Sequence, residues 1–261
     1  MRCMHEASLH EANCFITLTF NDDNLDPILS LQKRDFQLFM KRLRKYLSAD
    51  ASASSRKVRF FHAGEYGEQF GRPHHHAILF GYDFPDKVLK IQRRGFNYYE
   101  SPTLSKLWSD PKTGESYGFH EISDVTFETC AYVARYVCKK VNGKKADDHY
   151  TVSDEQGNIY RRQPEYSTMS RRPGIGLDWY EKYKDTDVFA HDAITIRGHV
   201  KCTPPRYYGS KYELTNPQEY ALIKEKRLKK CKGNPDNRFQ RQAVRKVVKE
   251  AQSKFLKRTL A

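Results

Sequence analysis

The sequence predicts an α+β fold: an antiparallel sheet flanked by helices, followed by a basic helical C-terminal extension. Three observations carry that expectation. Short β-branched and aromatic runs alternate with helical periodicity in the order strand, helix, strand, strand, helix, strand. The second and third strands are joined by a short loop, most simply a hairpin, which makes the sheet antiparallel. From Asn216 onward there are 14 Lys or Arg against 4 Asp or Glu, so +10 of the formal net charge of +14 lies in that part of the chain. Residues 1–200 are expected to form the main domain and 201–261 the extension.

The elements follow in order. Met1 to Glu11 reads as a short helix whose His5 and His10 are solvated or capping. Cys14-Phe15-Ile16-Thr17-Leu18-Thr19-Phe20 is β-branched and aromatic and stops at Asn21-Asp22-Asp23-Asn24, so it is a strand and a turn. Between Leu31 and Leu47, Phe36, Phe39, Leu43 and Tyr46 recur at three or four residues and predict a helix with a Lys- and Arg-covered outer face. Ala51 to Ser55 is a loop, and Val58 to Tyr66 the second strand. Ser101-Pro102 caps a short helix toward Trp108. Gly118 to Ser123 is a further short strand. After Gly143 periodicity is lost until Asp178, and Tyr166 to Gly176 reads as an ordered, donor-rich loop. Leu177 to Tyr183 is a short helix, Ala193 to Lys201 a strand, and the region after Asn216 helical with a break at Gly233-Asn234-Pro235.

Composition narrows the function classes. The chain of 261 residues can hold one good core plus appendages. Its mean hydropathy is -0.82, yet 17 Tyr and 15 Phe exclude a disordered tail. A pI near 9.4 calls for a polyanionic partner, nucleic acid first and an anionic membrane second. The sequence contains neither an apolar run long enough to span a bilayer nor a secretory h-region, so no membrane role and a cytoplasmic site of action are expected. Cys3, Cys14, Cys130, Cys138, Cys202 and Cys231 lack CxxC spacing and are expected to be reduced packing residues rather than a zinc site.

The most informative stretch is Arg72-Pro73-His74-His75-His76-Ala77-Ile78-Leu79-Phe80. On a strand, His74 and His76 share a face and His75 points the other way, which makes the outer two a ready pair of metal ligands. In the hairpin, Glu65 lies opposite the histidines and could supply an oxygen ligand, with Glu68 in the loop as the fallback. Imidazole plus carboxylate, left open to water and phosphate, suits Mg²⁺ or Mn²⁺. The second informative stretch is Thr126 to Val141. Phe127, Ala131, Ala134, Cys138 and Val141 form an apolar stripe, widened by Val133 and Val137, while Tyr132, Tyr136 and Lys139 fall on the side away from it. Those tyrosines are therefore read as functional rather than as core. Arg72, Arg171 and Arg172 suit backbone phosphates or are surface charges.

With His74-x-His76 on a strand, Glu65 before it and Tyr132-x-x-x-Tyr136 on a later helix, the chain resembles the HUH endonucleases, replication initiators of the rolling-circle type. Gly64-Glu65-Tyr66-Gly67, Arg72 to His76, Tyr132 to Tyr136 and Tyr166 to Gly176 resemble more narrowly the initiators of gokushovirus-type microviruses, small phages with circular single-stranded DNA. The resemblance covers residues 1 to about 185, and relatives of this type carry a segment upstream of Arg2-Cys3-Met4-His5, so the chain is expected to begin late. It implies an RRM-like, ferredoxin-like core. It also implies that His74, His76 and Glu65 hold Mg²⁺ or Mn²⁺, and that Tyr132 or Tyr136 attacks the scissile phosphate to give a 5′-phosphotyrosine link and a 3′-OH primer. Two tyrosines would allow rejoining of the unit-length strand. A phenol with a pKa of about 10 needs help at neutral pH, and Lys139 is placed to give it, Lys140 less so. The implied partners are single-stranded or locally melted origin DNA, host helicase and host DNA polymerase, in the host bacterial cytoplasm. A transposase or relaxase of the same superfamily, a metal-dependent hydrolase using water, and a non-catalytic basic single-stranded nucleic-acid-binding protein are the competing readings.

Overall fold

In β1 (Asn13–Phe20) the period of two sends Cys14, Ile16 and Leu18 into one apolar cluster and Phe15 into another, so both faces of the strand are covered. That strand is the centre of the fold. The structure is a computed structural model, and it describes residues 1–49, 57–67, 70–93, 95–135, 140–154, 156–196, 198 and 200–255.

The elements of the first part are α1 (Arg2–Ala7), β1, α2 (Lys33–Ala49), β2 (Arg59–Tyr66), β3 (Pro73–Phe80), β4 (Val88–Arg93), β5 (Phe96–Glu100), α3 (Pro102–Leu107), β6 (Gly118–Ser123), α4 (Phe127–Arg135), α5 (Lys145–Tyr150), β7 (Thr151–Ser153), β8 (Ile159–Arg161) and β9 (Tyr166–Met169). Seven strands form one sheet in the order β4-β5-β6-β1-β3-β2-β9, and the registered neighbours are antiparallel. The expected α+β class, with helices flanking an antiparallel sheet and a helical C-terminal region, is what the chain adopts.

One sheet face is covered by α2 and α3. Phe36, Phe39, Met40, Leu43 and Leu47 of α2 pack with Leu104, Leu107 and Trp108 over Ile16, Leu18 and Leu79. Each such fully buried side chain stabilises the fold by about 1.5–3 kcal/mol relative to exposure. Tyr46, expected in that stripe, is exposed, because Met40 and Leu47 complete it instead. The other face is covered by α1 and α4, with Cys3, Cys130 and Val133 over Phe15, Phe61, Ile78 and Phe80. His5 of α1 is buried rather than solvated, and its pKa falls to about 4, chiefly through burial. Buried Glu6 fastens α1 to the sheet and to the following loop: it pairs with Arg59 and accepts from the Gly176 amide at 2.6 Å. Ser101 caps α3 as expected, accepting from the Leu104 amide at 3.0 Å while donating to Asp86 at 2.6 Å.

Three readings need correction. Residues 88–100, which carried no motif, form the β4–β5 hairpin; every residue of β4 is exposed, so no burial pattern marks it in the sequence. Tyr166 to Gly176 is not all loop, since β9 is the sheet's edge strand paired to β2. The four residues of β9 are too few for a period to show. Ala193 to Lys201 is not one strand but the hairpin of β10 (Ile194–Ile196) and β11 (Val200–Cys202), turned around Gly198, whose φ of 75° favours glycine.

The chain forms two compact units, Cys3–Gly176 and Met1–Arg2 with the chain from Leu177 onward. The second unit holds α6 (Leu177–Tyr183), the β10–β11 hairpin, α7 (Arg206–Thr215), α8 (Pro217–Gly233) and α9 (Phe239–Phe255). Its core is aromatic: Tyr180, Phe189, Tyr208, Tyr212 and Tyr220 pack together, with Phe189 stacked on Tyr212 at 4.0 Å between ring centres. The break between α8 and α9 falls where Gly233-Asn234-Pro235 predicts it, with the Asn234 side chain accepting from the Asp236 amide at 2.9 Å. Among the described residues no helix is long and apolar enough to cross a membrane.

Candidate active site on the α4 face of the sheet

Alternation along β3 puts His74, His76, Ile78 and Phe80 on the α4 face and His75, Ala77 and Leu79 on the α2 face. In the register, Thr19 lies beside His74 and Thr17 beside His76 on β1, while on β2 Glu65 lies beside His74 and Ala63 beside His76. The hairpin expected from the sequence therefore brings Glu65 to the histidines. The Thr19 hydroxyl shares a hydrogen bond of 2.9 Å with His74 Nδ1, and the Thr17 hydroxyl one of 3.0 Å with His76 Nδ1. Both rings are thus held by their Nδ1 atoms, which directs each Nε2 elsewhere. His76 Nε2 meets the buried Glu65 carboxylate at 2.8 Å. His74 Nε2 lies over Gly67, where an added Cβ would come within 2.8 Å of it, so the glycine makes room for the ring.

Burial is the main cause that lowers the His74 pKa to about 4, with neighbouring His76 lowering it further and Glu65 acting against both. His74 is neutral at neutral pH, the form able to donate a lone pair to a metal.

The helix α4 starts with a reciprocal cap. The Thr126 hydroxyl accepts from the Thr129 amide at 3.2 Å, and the Thr129 hydroxyl from the Thr126 amide at 2.8 Å. Its buried residues are Thr129, Cys130 and Val133, whereas Ala134 is exposed. The core-facing stripe expected through Phe127, Ala131 and Ala134 is therefore rotated. At about 100° per residue, Tyr132 falls beside Thr129 and Val133 rather than opposite them. It does not face away from the core: half-buried, it meets the His76 ring edge-on at 5.3 Å and Phe15 at 6.2 Å. Tyr136 and Lys139, as well as Glu68, lie outside the described residues. Lys140 is exposed and no longer helical.

The three candidate arginines lie apart from this cluster. Arg72 donates to the Phe20 carbonyl at 2.8 Å and pairs with Asp22, so it closes the end of β1. Arg171 and Arg172 line a hollow with Arg44 of α2 at the other end of β2. The structure thus gathers His74, His76, Glu65 and Tyr132 and leaves Arg171 and Arg172 elsewhere.

Thr17, Thr19 and Gly67 are contributors that sequence reasoning missed. The signal was Thr17-x-Thr19, the same two-residue period as His74-x-His76, legible only once β1 and β3 are known to be neighbours. Phe119 was missed too: it pairs with Thr19 in the register, shares its face, and is 68% exposed.

The donor types suit a hard divalent ion: two imidazoles whose Nδ1 atoms are held by hydroxyls, beside a carboxylate. Among the described residues, however, no three His, Cys, Asp or Glu side chains form a ready metal cluster, and Glu65 is hydrogen-bonded to the Nε2 that would face an ion.

Residues 13–141, which contain this whole cluster, match the family model described as replication-associated protein ORF2/gene-2 protein. The chain is also 30% identical over 246 residues to the replication-associated protein VP4 of Bdellovibrio phage phiMH2K, an alignment covering 90% of this chain and 71% of that protein. The chain belongs to this replication-associated protein family. Two further members align with it: replication-associated protein ORF2 of Spiroplasma virus 4, 29% identical over 89% of this chain and 67% of its own length, and replication-associated protein ORF4 of Chlamydia phage 1, 31% identical over 68% and 41%. No solved structure matches the chain. The resemblance to microvirus replication proteins, drawn from the motifs, is borne out at the level of family.

Proposed function

We propose that this replication-associated protein initiates rolling-circle replication of a circular phage genome as an HUH nickase. The observation that carries the reading is the meeting of His76, Glu65 and Tyr132 on one sheet face, with the tyrosine ring 5.3 Å from the His76 ring. In the proposed reaction the phenolic oxygen of Tyr132 or Tyr136 attacks the scissile phosphorus in line. The P–O3′ bond breaks, the 3′-oxygen leaves as a hydroxyl after taking up a proton, and the 5′-phosphate stays on the tyrosine. The reverse attack by a 3′-OH rejoins the unit-length strand. His74, His76 and Glu65 would hold Mg²⁺ or Mn²⁺, which when bound supplies Lewis-acid polarisation of the phosphate. The threonines fix the orientation of both imidazoles, and Lys139 is assigned to stabilise the developing charge. Exposed Phe119, on the same face, offers an aromatic surface to an unpaired base, which fits a single-stranded or locally melted origin as substrate. Host helicase and polymerase in the host bacterial cytoplasm complete the role.

A second reading, a basic single-stranded nucleic-acid-binding protein without chemistry, draws on the bond that occupies Glu65 with His76. The deciding experiment incubates the protein and Mn²⁺ with labelled single-stranded origin oligonucleotides and resolves the products on a denaturing gel. A metal-dependent, protein-linked band that disappears in the Tyr132→Phe/Tyr136→Phe double variant is expected. Cleavage that persists in the double variant would assign the chemistry to water, and salt-sensitive binding with no cleavage would favour the second reading.

A further inference from the structure

Two adjoining hollows of about 460 and 530 Å³ lie on the α2 side of the sheet, and both are lined by Arg44, Phe60 and Arg171. Shared walls make them one groove, running between α2 and the edge strand β9 with the turn that follows it. The α2 wall is a single helix face, because Lys33, Gln37, Lys41, Arg44 and Ser48 recur at three or four residues. From Lys33 to Ser48 that wall is about 22 Å long. The opposite wall carries Arg171 and Arg172, with Lys57 at the end of the groove. Half-buried Phe60 forms the floor, with the Arg44 guanidinium 6.0 Å from its ring centre.

The charges of this groove are unspent. No carboxylate lines either hollow. Among the described residues Lys33, Lys41, Arg44, Lys57, Arg171 and Arg172 have no ion-pair partner, in contrast to Arg59, whose guanidinium is buried against Glu6. The groove is also remote from the histidine pair. Phe60 and Glu65 point to opposite faces of β2 and stand about 16 Å apart along the strand.

We propose that this groove is a second binding track for single-stranded nucleic acid, separate from the site of strand cleavage. Two rows of cations meet backbone phosphates and the aromatic floor meets a base face, the combination that holds an unpaired strand without reading its sequence. The proposal rests on the nucleic-acid part of the function above and not on its chemistry, so it is tested without divalent metal, where no nicking occurs.

The experiment measures fluorescence anisotropy of labelled oligo-dT, and of a duplex of equal length, over a salt series. It compares the unaltered full chain with Lys41→Glu/Arg44→Glu, and with Arg171→Glu on the facing wall. Thermal melting checks that each variant is folded. The double variant is expected to bind oligo-dT at least tenfold more weakly, with a salt slope shallower by about 1.4 for two lost contacts, and Arg171→Glu to weaken it in the same direction. Duplex binding is expected to change less. Unchanged oligo-dT affinity and slope in folded variants would overturn the proposal, as would an effect confined to one wall or a loss of duplex binding alone. A protein that binds oligo-dT in this way but forms no covalent product would refute the nickase reading and leave the groove standing.

Discussion

The two faces of β3 hold consecutive histidines with opposite fates. On the α4 face, His74 and His76 are gripped at Nδ1 by Thr19 and Thr17, and their Nε2 atoms look toward Gly67 and Glu65. On the α2 face, His75 is fully buried and shares a hydrogen bond of 3.2 Å with His62 Nε2. His62 is itself stacked on Phe36 at 3.7 Å and hydrogen-bonded to the Thr168 hydroxyl at 2.9 Å. Asp35 stands 3.7 Å from His75 Nε2, beyond hydrogen-bond reach. The same residue type is thus presented for chemistry on one face and packed as core on the other. The difference comes from what the neighbouring strands and helices put beside it.

Substituting one histidine on each face should separate the two fates most strongly. His76→Gln, which keeps an amide near Glu65, is expected to reduce the covalent DNA product at least about a hundredfold with little change in melting temperature. His75→Ala is expected to do the reverse, lowering stability by about 3 kcal/mol in urea titrations and leaving cleavage per folded molecule close to unaltered. Equal losses of activity in both variants would erase the distinction between the faces.

A more modest effect is expected one strand away. Thr17→Val and Thr19→Val remove the hydroxyls that orient the imidazoles while keeping their volume. Each is expected to raise the Mn²⁺ concentration needed for half-maximal cleavage about tenfold, with stability changed by no more than about 1 kcal/mol. Wild-type metal dependence in both variants would show that the threonines are only packing.

The weakest of these effects concerns pH and involves both faces. His5 and His74 titrate near 4 in the folded chain, and burial also holds His62 well below its ordinary value, whereas an unfolded histidine titrates at about 6.5. Below that value the unfolded state binds more protons, so stability is fully present above about pH 6.5 and is lost as the pH falls toward 4. Urea midpoints measured between pH 7.5 and 5 should therefore decline on acidification; a rise would mean that these histidines are protonated in the fold.

Much of this was legible in the residues. Periodicity marked β1, α2, β2, β3 and the broken C-terminal helices, because each repeats its apolar spacing for several turns or pleats. Alternation alone set His74 and His76 on one face, and the short loop made Glu65 their neighbour. The hairpin β4–β5 was silent because its exposed β4 carries no buried face, and β9 because four residues are too few to show a period. Tyr132 shows the limit most clearly. Its spacing was right, but its facing depends on which arc of α4 the sheet buries, and that arc centres on Thr129, Cys130 and Val133 rather than on the alanines.

The fold class, the strand and loop that carry the histidines, the family resemblance and the surplus of positive charge could all be read along the chain. They rest on local chemistry and short spacings, which survive without knowledge of neighbours. Three-dimensional packing was needed to show that Thr17 and Thr19 hold the imidazoles, that Tyr132 leans onto His76, and that Arg171 lines a groove with Arg44 far from them both. Those facts depend on strand register and on helix rotation about its axis, which are set by packing between segments tens of residues apart.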